Sequence, residues 1–354
     1  MATNNEKLME ALSYVIEPEL KKDIVSLGLV SNVKVEGNTV SFHVKSSNPA
    51  MHYRKRIEEA CIHQVRRFLG DDVAVMIEVD SLPKSSKRPI EQRKFLPGVK
   101  KFIAVASGKG GVGKSTICAN IAAGLAKRGY KVGLVDADIY GPSMPLMFDV
   151  VDQKPGLSGP GENNKMLPVE NYGVKMLSIG FFAEANQAIV WRGPMASKAL
   201  KQMFADVEWG ELDFMLIDLP PGTGDVHLSL VQDIPLDGVV IVSTPQNVAL
   251  ADARKGVGMF KLPEINVPVL GIVENMSWFT PAELPKNKYY IFGQEGAKRL
   301  AEELGVALLG QIPLVQSIRE SGDAGRPAVL QENTPQSSAL NDMIDQVLKS
   351  VEID

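Results

Sequence analysis

The sequence is poor in cysteine, in net charge and in long apolar runs, and each shortage removes a class of function. Its only two cysteines, Cys61 and Cys118, form no C-x-x-C pair, which excludes a disulfide framework and a dithiol redox motif. Lysine and arginine total 38 against 42 aspartate and glutamate, a formal net charge of -4. That balance gives no electrostatic ground for a nucleic-acid partner. No apolar stretch approaches the length of a membrane span, and Met1 to Glu10 is polar where a signal peptide would be apolar. The expectation is a cytoplasmic protein that binds neither membrane nor nucleic acid. Histidine is scarce as well: His43, His52 and His63 are scattered without a ligand spacing, and His227 is read as structural. What is present fits a globular chain. A length of 354 residues, 45% hydrophobic and 23% charged, supports a large core and two domains.

The rest is organised around Gly108-Lys-Gly-Gly-Val-Gly-Lys-Ser-Thr116, directly behind the apolar run Phe102–Ala106. Gly108, Gly113, Lys114 and Ser115 satisfy G-x-x-x-x-G-K-[ST], with a strand-like run before and a helix-like run from Thr116 to Arg128 after. Such a loop cradles phosphate. Glycines (here also Gly110 and Gly111, beside Val112) let backbone N–H groups converge on an anion, and the helix offers its positive end to the same point. Lys114 is the candidate bridge between terminal phosphate oxygens, and the Ser115 hydroxyl a candidate Mg2+ ligand. Lys109 is not required by the pattern and stands too early to fold back onto phosphates held by its own loop. It is either a solvated lysine or one that reaches the nucleotide of a second subunit.

Upstream, residues 1–85 read as a small α+β domain. Lys7 to Ile16 has helical apolar spacing, Leu29–Glu36 and Thr39–Lys45 flank a Gly37-Asn38 turn, a helix runs from Asn48-Pro49 to Leu69, and Val73–Val79 is a third strand. Cys61 falls on the apolar face of that helix and reads as core. Residues 86–98, rich in proline and positive charge, read as a linker. From 99 to 354 short apolar runs alternate with helical segments, which predicts a mainly parallel sheet covered by helices on both faces. The strand candidates are Phe102–Ala106, Lys131–Asp136, Val174–Ile179, Phe214–Asp218, Val239–Ser243, Val269–Glu274 and Ala307–Gln311. Ser337 to Glu352 is a last amphipathic helix without the basic face a membrane would want.

Ligands on such sheets sit at the carboxyl ends of the strands. Asp136 and Asp138, one residue apart, can place one carboxylate near the water shell of a metal and the other near an attacking water. Asp218 ends an apolar strand and is expected to hold a magnesium-bound water, while the glycine-rich turn behind it can change shape when a phosphate leaves. Asn275, at the end of a further strand, can pair with both N6 and N7 of adenine. Gln311-Ile-Pro-Leu314, with Pro313, supplies an apolar wall for the ring. ATP is therefore the expected nucleotide.

Lys109-Gly-Gly-Val-Gly-Lys114 resembles the deviant Walker A signature of the family that includes nitrogenase iron protein, MinD, ParA and the Mrp-type proteins. Asp218-Leu-Pro-Pro-Gly-Thr-Gly-Asp225 is similar to the Mrp, NBP35 and ApbC branch, and Asp23-Ile-Val-Ser-Leu-Gly-Leu-Val30 with the hairpin resembles a MIP18-like domain. The resemblance implies a P-loop NTPase fold and a homodimer that sandwiches two ATP molecules, each Lys109 crossing over. It further implies that Asp138 activates the hydrolytic water, that Asn275 and Pro313 line the adenine pocket, and that the protein takes part in iron–sulfur cluster carriage to apoproteins. Members of that branch usually carry a C-P-x-C-like pair after the position of Met276, whose thiolates hold a bridging [4Fe–4S] cluster. Here Trp278 to Gly293 has no cysteine, so no cluster ligand is identified. The alternative is an ATP-dependent switch or adaptor that binds protein partners without a cluster.

Overall fold

The computed structural model describes residues 4–16, 22–36, 38–46, 51–81, 95–159, 164–182, 193–281, 283–284 and 286–351. The greater part of the expected linker, the Asn48-Pro49 turn and the end of the last helix at Glu352 lie outside these residues. The chain separates into two compact units, Met1–Arg88 and Pro89–Asp354.

The first unit is helix, hairpin, helix, strand. Helix α1 (Asn4–Leu12) is followed by strands β1 (Val30–Glu36) and β2 (Thr39–Ser46), helix α2 (Met51–Leu69) and strand β3 (Ala74–Ser81). β1 and β2 pair antiparallel with Val35 opposite Val40, and β3 lies parallel to β2 on its other side. Leu8 and Leu12 of α1 and Ile57, Cys61 and Val65 of α2 share one core with Phe42 and Val44 of β2. The 3.6-residue spacing of those apolar positions is what seats both helices. α1 stops four residues before the expected Ile16, because Val15 accepts a backbone bond from Ile24 and Ile16 pairs with Asp23 in an extended bridge.

The second unit is a three-layer α/β structure. Its elements are β4 (Val99–Ala106), α3 (Lys114–Lys127), β5 (Val132–Asp136), the short α4 (Met144–Met147), β6 (Gly156–Leu157), β7 (Met166–Leu167), β8 (Val169–Asn171), β9 (Val174–Ser178) and α5 (Gly193–Ala205). There follow β10 (Leu212–Asp218), α6 (Asp225–Asp233), β11 (Gly238–Ser243), α7 (Asn247–Phe260), β12 (Val269–Glu274), α8 (Gly296–Leu304), β13 (Leu308–Gln311), α9 (Gln316–Asp323) and α10 (Pro335–Ser350). Eight strands form one sheet in the order β13-β12-β11-β4-β10-β5-β9-β8. Every pairing in it is parallel except β8 with β9 at the edge.

Burial on both faces explains why the strands read as continuous apolar runs. β5 and β11 are buried at every position. α3 is buried along most of its length, with Ile117, Cys118, Ile121, Ala122 and Leu125 fully enclosed. β4 begins three residues earlier than its apolar run and β10 two, since Leu212 donates to Gly98 O and the Lys100–Asp213 ion pair at 2.8 Å continues the ladder into polar sequence. No helix among the described residues is long and apolar enough to cross a membrane. The topology places β4 between β10 and β11, so the loop leaving β4 emerges at the centre of the carboxyl edge.

Candidate nucleotide site

The loop from Ser107 to Gly113 joins β4 to α3. Gly111 and Gly113 have φ of 83° and 85°, in the left-handed region that favours glycine. Gly113 is doubly constrained, because a Cβ there would sit 2.2 Å from the Asn275 amide nitrogen. A Cβ on Gly108 would meet the Asp252 carbonyl of α7 at the same distance. The loop is thus closely held on two sides while Lys109, Gly110 and Gly111 are exposed, and Thr116 follows inside the first turn of α3.

Lys114 and Ser115 open α3 and meet the end of β10. Lys114 Nζ donates to Asp218 Oδ1 at 2.6 Å and to Ser115 Oγ at 3.2 Å, and Ser115 Oγ donates to Asp218 Oδ2 at 2.6 Å. Asp138 Oδ2 lies 3.6 Å from the same ammonium. Asp218 and Asp136 are completely buried, Lys114 and Asp138 nearly so. Burial works against the charge on Lys114, but Asp218 and then Asp138 outweigh it and hold the ammonium above its ordinary range. Burial raises Asp218 against the lowering pull of Lys114. Asp136 is raised to about 7, by burial first and by Asp218 second.

Asp218 and Asp138 therefore face one ammonium in a low-dielectric pocket, with Asp136 buried on the strand beside Asp218. A divalent cation relieves that imbalance, and the oxygen donors Ser115 Oγ and Asp218 are of the hard type Mg2+ prefers. Among the described residues no group of three or more His, Cys, Asp or Glu could hold a metal unaided.

Asp136 is largely committed to its own turn. Its Oδ2 accepts from Ser143 N and Met144 N, both at 3.1 Å, and from Ser178 Oγ at 2.9 Å, while Oδ1 takes a single longer bond from Asp138 N at 3.3 Å. It fixes the Asp138–Ser143 turn, and this anchoring was not legible from the Asp-x-Asp spacing. Asn275 also has a partner that sequence reasoning missed: its Nδ2 donates to Val112 O at 2.9 Å. One of the two Nδ2 hydrogens is thereby engaged, which leaves Oδ1 and the second N–H of this amide for adenine. Asn275 and Pro313 are both buried at the ends of neighbouring strands, with Ser277 N bonded to Ile312 O between them. Gln311, expected in an apolar wall, instead donates to Glu274 Oε1 at 2.7 Å.

The cysteines do not fit a cluster. Cys61 and Cys118 are fully buried, in different units, and burial pushes the Cys61 thiol up to about 12 and Cys118 well above its ordinary value. Iron–sulfur ligation needs accessible thiolates. Neither side chain supplies one.

A glycine loop at a central strand end, a buried lysine paired with the carboxylate of the neighbouring strand, and a parallel sheet behind them define a P-loop NTPase. Comparison with known proteins narrows this class. Residues 98–348 match the family profile described as NUBPL iron-transfer P-loop NTPase, and residues 5–87 match that of an iron–sulfur cluster assembly protein. The chain is 41% identical to the iron–sulfur cluster carrier protein of Synechocystis, over 98% of this chain and 97% of that one. It is 43% identical to the carrier protein of Deinococcus radiodurans, over 92% and 89%. Among solved structures, a nucleotide-binding protein of Archaeoglobus fulgidus in complex with ADP superposes with a TM-score of 0.59 at 36% identity, covering 70% of this chain and 94% of the other. The chain belongs to the family of iron–sulfur cluster carrier P-loop NTPases.

Proposed function

We propose that the chain is a homodimeric ATPase, residing in the cytoplasm, that serves iron–sulfur cluster transfer without ligating the cargo through its own cysteines. The observation that carries the ATPase reading is the Lys114–Ser115–Asp218 cluster, with Asp138 3.6 Å from the lysine, at the mouth of the glycine loop. In this reading Gly108 to Thr116 cradles the phosphates, and Lys114 exchanges Asp218 for the terminal phosphate oxygens. Ser115 would hold Mg2+, with Asp218 and Asp136 reaching it through water. Asp138, 3.6 Å from the lysine that would hold the terminal phosphate, orients and activates the attacking water. Asn275 Oδ1 accepts from adenine N6 while Nδ2 keeps its bond to the loop, and Pro313 lies against the ring. Lys109, exposed on the loop, completes the site of the second subunit and stabilises the charge that develops on the transferred phosphoryl group. The ATPase occupies residues 99–354, and a linker at 86–98 joins it to an amino-terminal domain of 1–85.

The relatives named as cluster carriers support the cargo, and the two buried cysteines argue that its thiolates come from the proteins between which it passes. A second reading, an ATP-dependent switch that binds protein partners and handles no cluster, is favoured by the same cysteines. Sedimentation velocity and turnover, each followed against protein concentration, test the dimer. ATP and magnesium should produce a dimer in the wild type and specific activity should rise with concentration. A chain that stays monomeric and never hydrolyses ATP contradicts the proposal.

A further inference from the structure

His227 lies in the first turns of α6, and it is one of the most enclosed polar side chains in its unit. Its Nδ1 is 3.1 Å from Pro220 O. A carbonyl can only accept, so Nδ1 carries the proton and Nε2 is a bare acceptor. Nε2 is buried without a hydrogen-bond partner. Burial also draws the imidazole down to about 4, so the ring is neutral at working pH. Such a group is costly to maintain. A plain packing residue would serve if filling space were its whole task.

The ring closes a circuit of contacts around the phosphate loop. Pro220 belongs to the glycine-rich loop behind Asp218, and that loop is tied to the start of the phosphate loop by Gly222 N donating to Ser107 O at 2.8 Å. The ring of His227 lies 5.7 Å from that of Phe260 on α7. α7 in turn presents Asp252 so closely to Gly108 that no side chain fits between them. Phosphate loop, glycine-rich loop, α6 and α7 are therefore joined in a ring, in which the His227 side chain bonds helix to loop beyond the backbone bond from Leu228 N to Gly224 O.

We propose that His227 is a positioning residue of the nucleotide cycle, bonding the Leu219–Gly224 loop to α6 and seating it on α7 so that loop and helices answer the nucleotide as one body. The proposal rests on the ATPase reading for its effect on turnover, but the mechanical tie itself is independent of hydrolysis. Packed interfaces switch between discrete arrangements rather than deform continuously, and a single buried hydrogen bond can decide which elements move together.

Two substitutions separate the bond from the packing. His227→Asn places an amide N–H two bonds from Cβ, where Nδ1 stood, and keeps the donor to Pro220. His227→Phe keeps the ring against Phe260 and loses the donor. Hydrogen exchange with and without ADP–magnesium, ADP affinity, and kcat against KM are measured for wild type and both variants, with melting temperatures as a folding control. The wild type and His227→Asn should show ADP-dependent protection running from Gly222 into α6. His227→Phe should bind ADP within about twofold of wild type yet lose the protection in α6, with kcat lower by about tenfold at unchanged KM, the size of one hydrogen bond. Protection in His227→Phe equal to wild type overturns the proposal, as does an α6 in the wild type that ignores ADP. A wild type that shows the ADP response but hydrolyses nothing removes the ATPase reading alone.

Discussion

Two stretches at the carboxyl edge of one sheet are built in opposite ways. Around the ends of β4, β5 and β10, Lys114, Asp136, Asp138 and Asp218 are buried and joined to one another or to nearby backbone through short bonds. Beyond the end of β12, the described part of Trp278–Gly293 is an aromatic turn on the surface. Phe279 and Tyr289 exchange backbone bonds of 2.8 Å, the Lys288 ammonium sits 3.9 Å from the Trp278 ring centre, and Tyr289, Tyr290 and Ile291 are exposed. The first stretch pre-arranges an excess of buried negative charge around one lysine, which a divalent cation would relieve. The second offers no soft donor. The phosphate loop of a P-loop NTPase is thus written into the chain, while the two cysteines are both buried away from the surface.

The largest effects expected from this contrast are on turnover. Lys109→Ala should lower kcat by about a thousandfold, the scale of a charge supplied in trans, while equilibrium dialysis still shows ATP bound. Asp138→Asn should lower kcat by about a hundredfold, as loss of a general base does, again with binding intact; full turnover in that variant would remove Asp138 from its role. Gly113→Ala forces a side chain into left-handed backbone 2.2 Å from the Asn275 amide. It should destabilise the unit by about 2–3 kcal/mol, whereas Gly110→Ala, with open space around its Cβ, should leave the melting temperature unchanged.

A pH dependence of stability follows from His227. Its folded value of about 4 lies below the ordinary 6.5, so the unfolded chain takes up this proton first as pH falls. The stability is complete above pH 6.5 and is lost progressively down to about pH 4, by roughly 3 kcal/mol. Asp136, raised to about 7, gives the opposite slope in the same window, so denaturant titrations should show the wild type losing stability relative to His227→Asn as pH falls from 6.5 to 4. The smallest effect sharpens the other half of the contrast. Tyr289→Ala and Tyr290→Ala should change ATP turnover by less than about twofold, since both side chains are exposed and outside the Lys114–Asp218 cluster.

Much of the sheet was readable because its strands are buried on both faces and stand out as apolar runs. All seven expected runs are strands, displaced by a few residues where polar sequence such as Val99-Lys-Lys continues the ladder. β6, β7 and β8 were not anticipated, being two or three residues long and too short to show a period. The phosphate loop was legible because its chemistry is local. The Asn275 clamp on Val112 spans 163 positions, and the Asp136 carboxylate collects donors from as far as Ser178, so neither could be read from spacing.

The most direct test of the central claim is anaerobic reconstitution with iron and sulfide, followed by iron counting and visible absorbance, on wild type and a Cys61→Ala/Cys118→Ala variant. The account predicts ATP hydrolysis in the wild type and no stoichiometric cluster in either protein. A stoichiometric [4Fe–4S] absorbance in the wild type that disappears in the cysteine variant would contradict it.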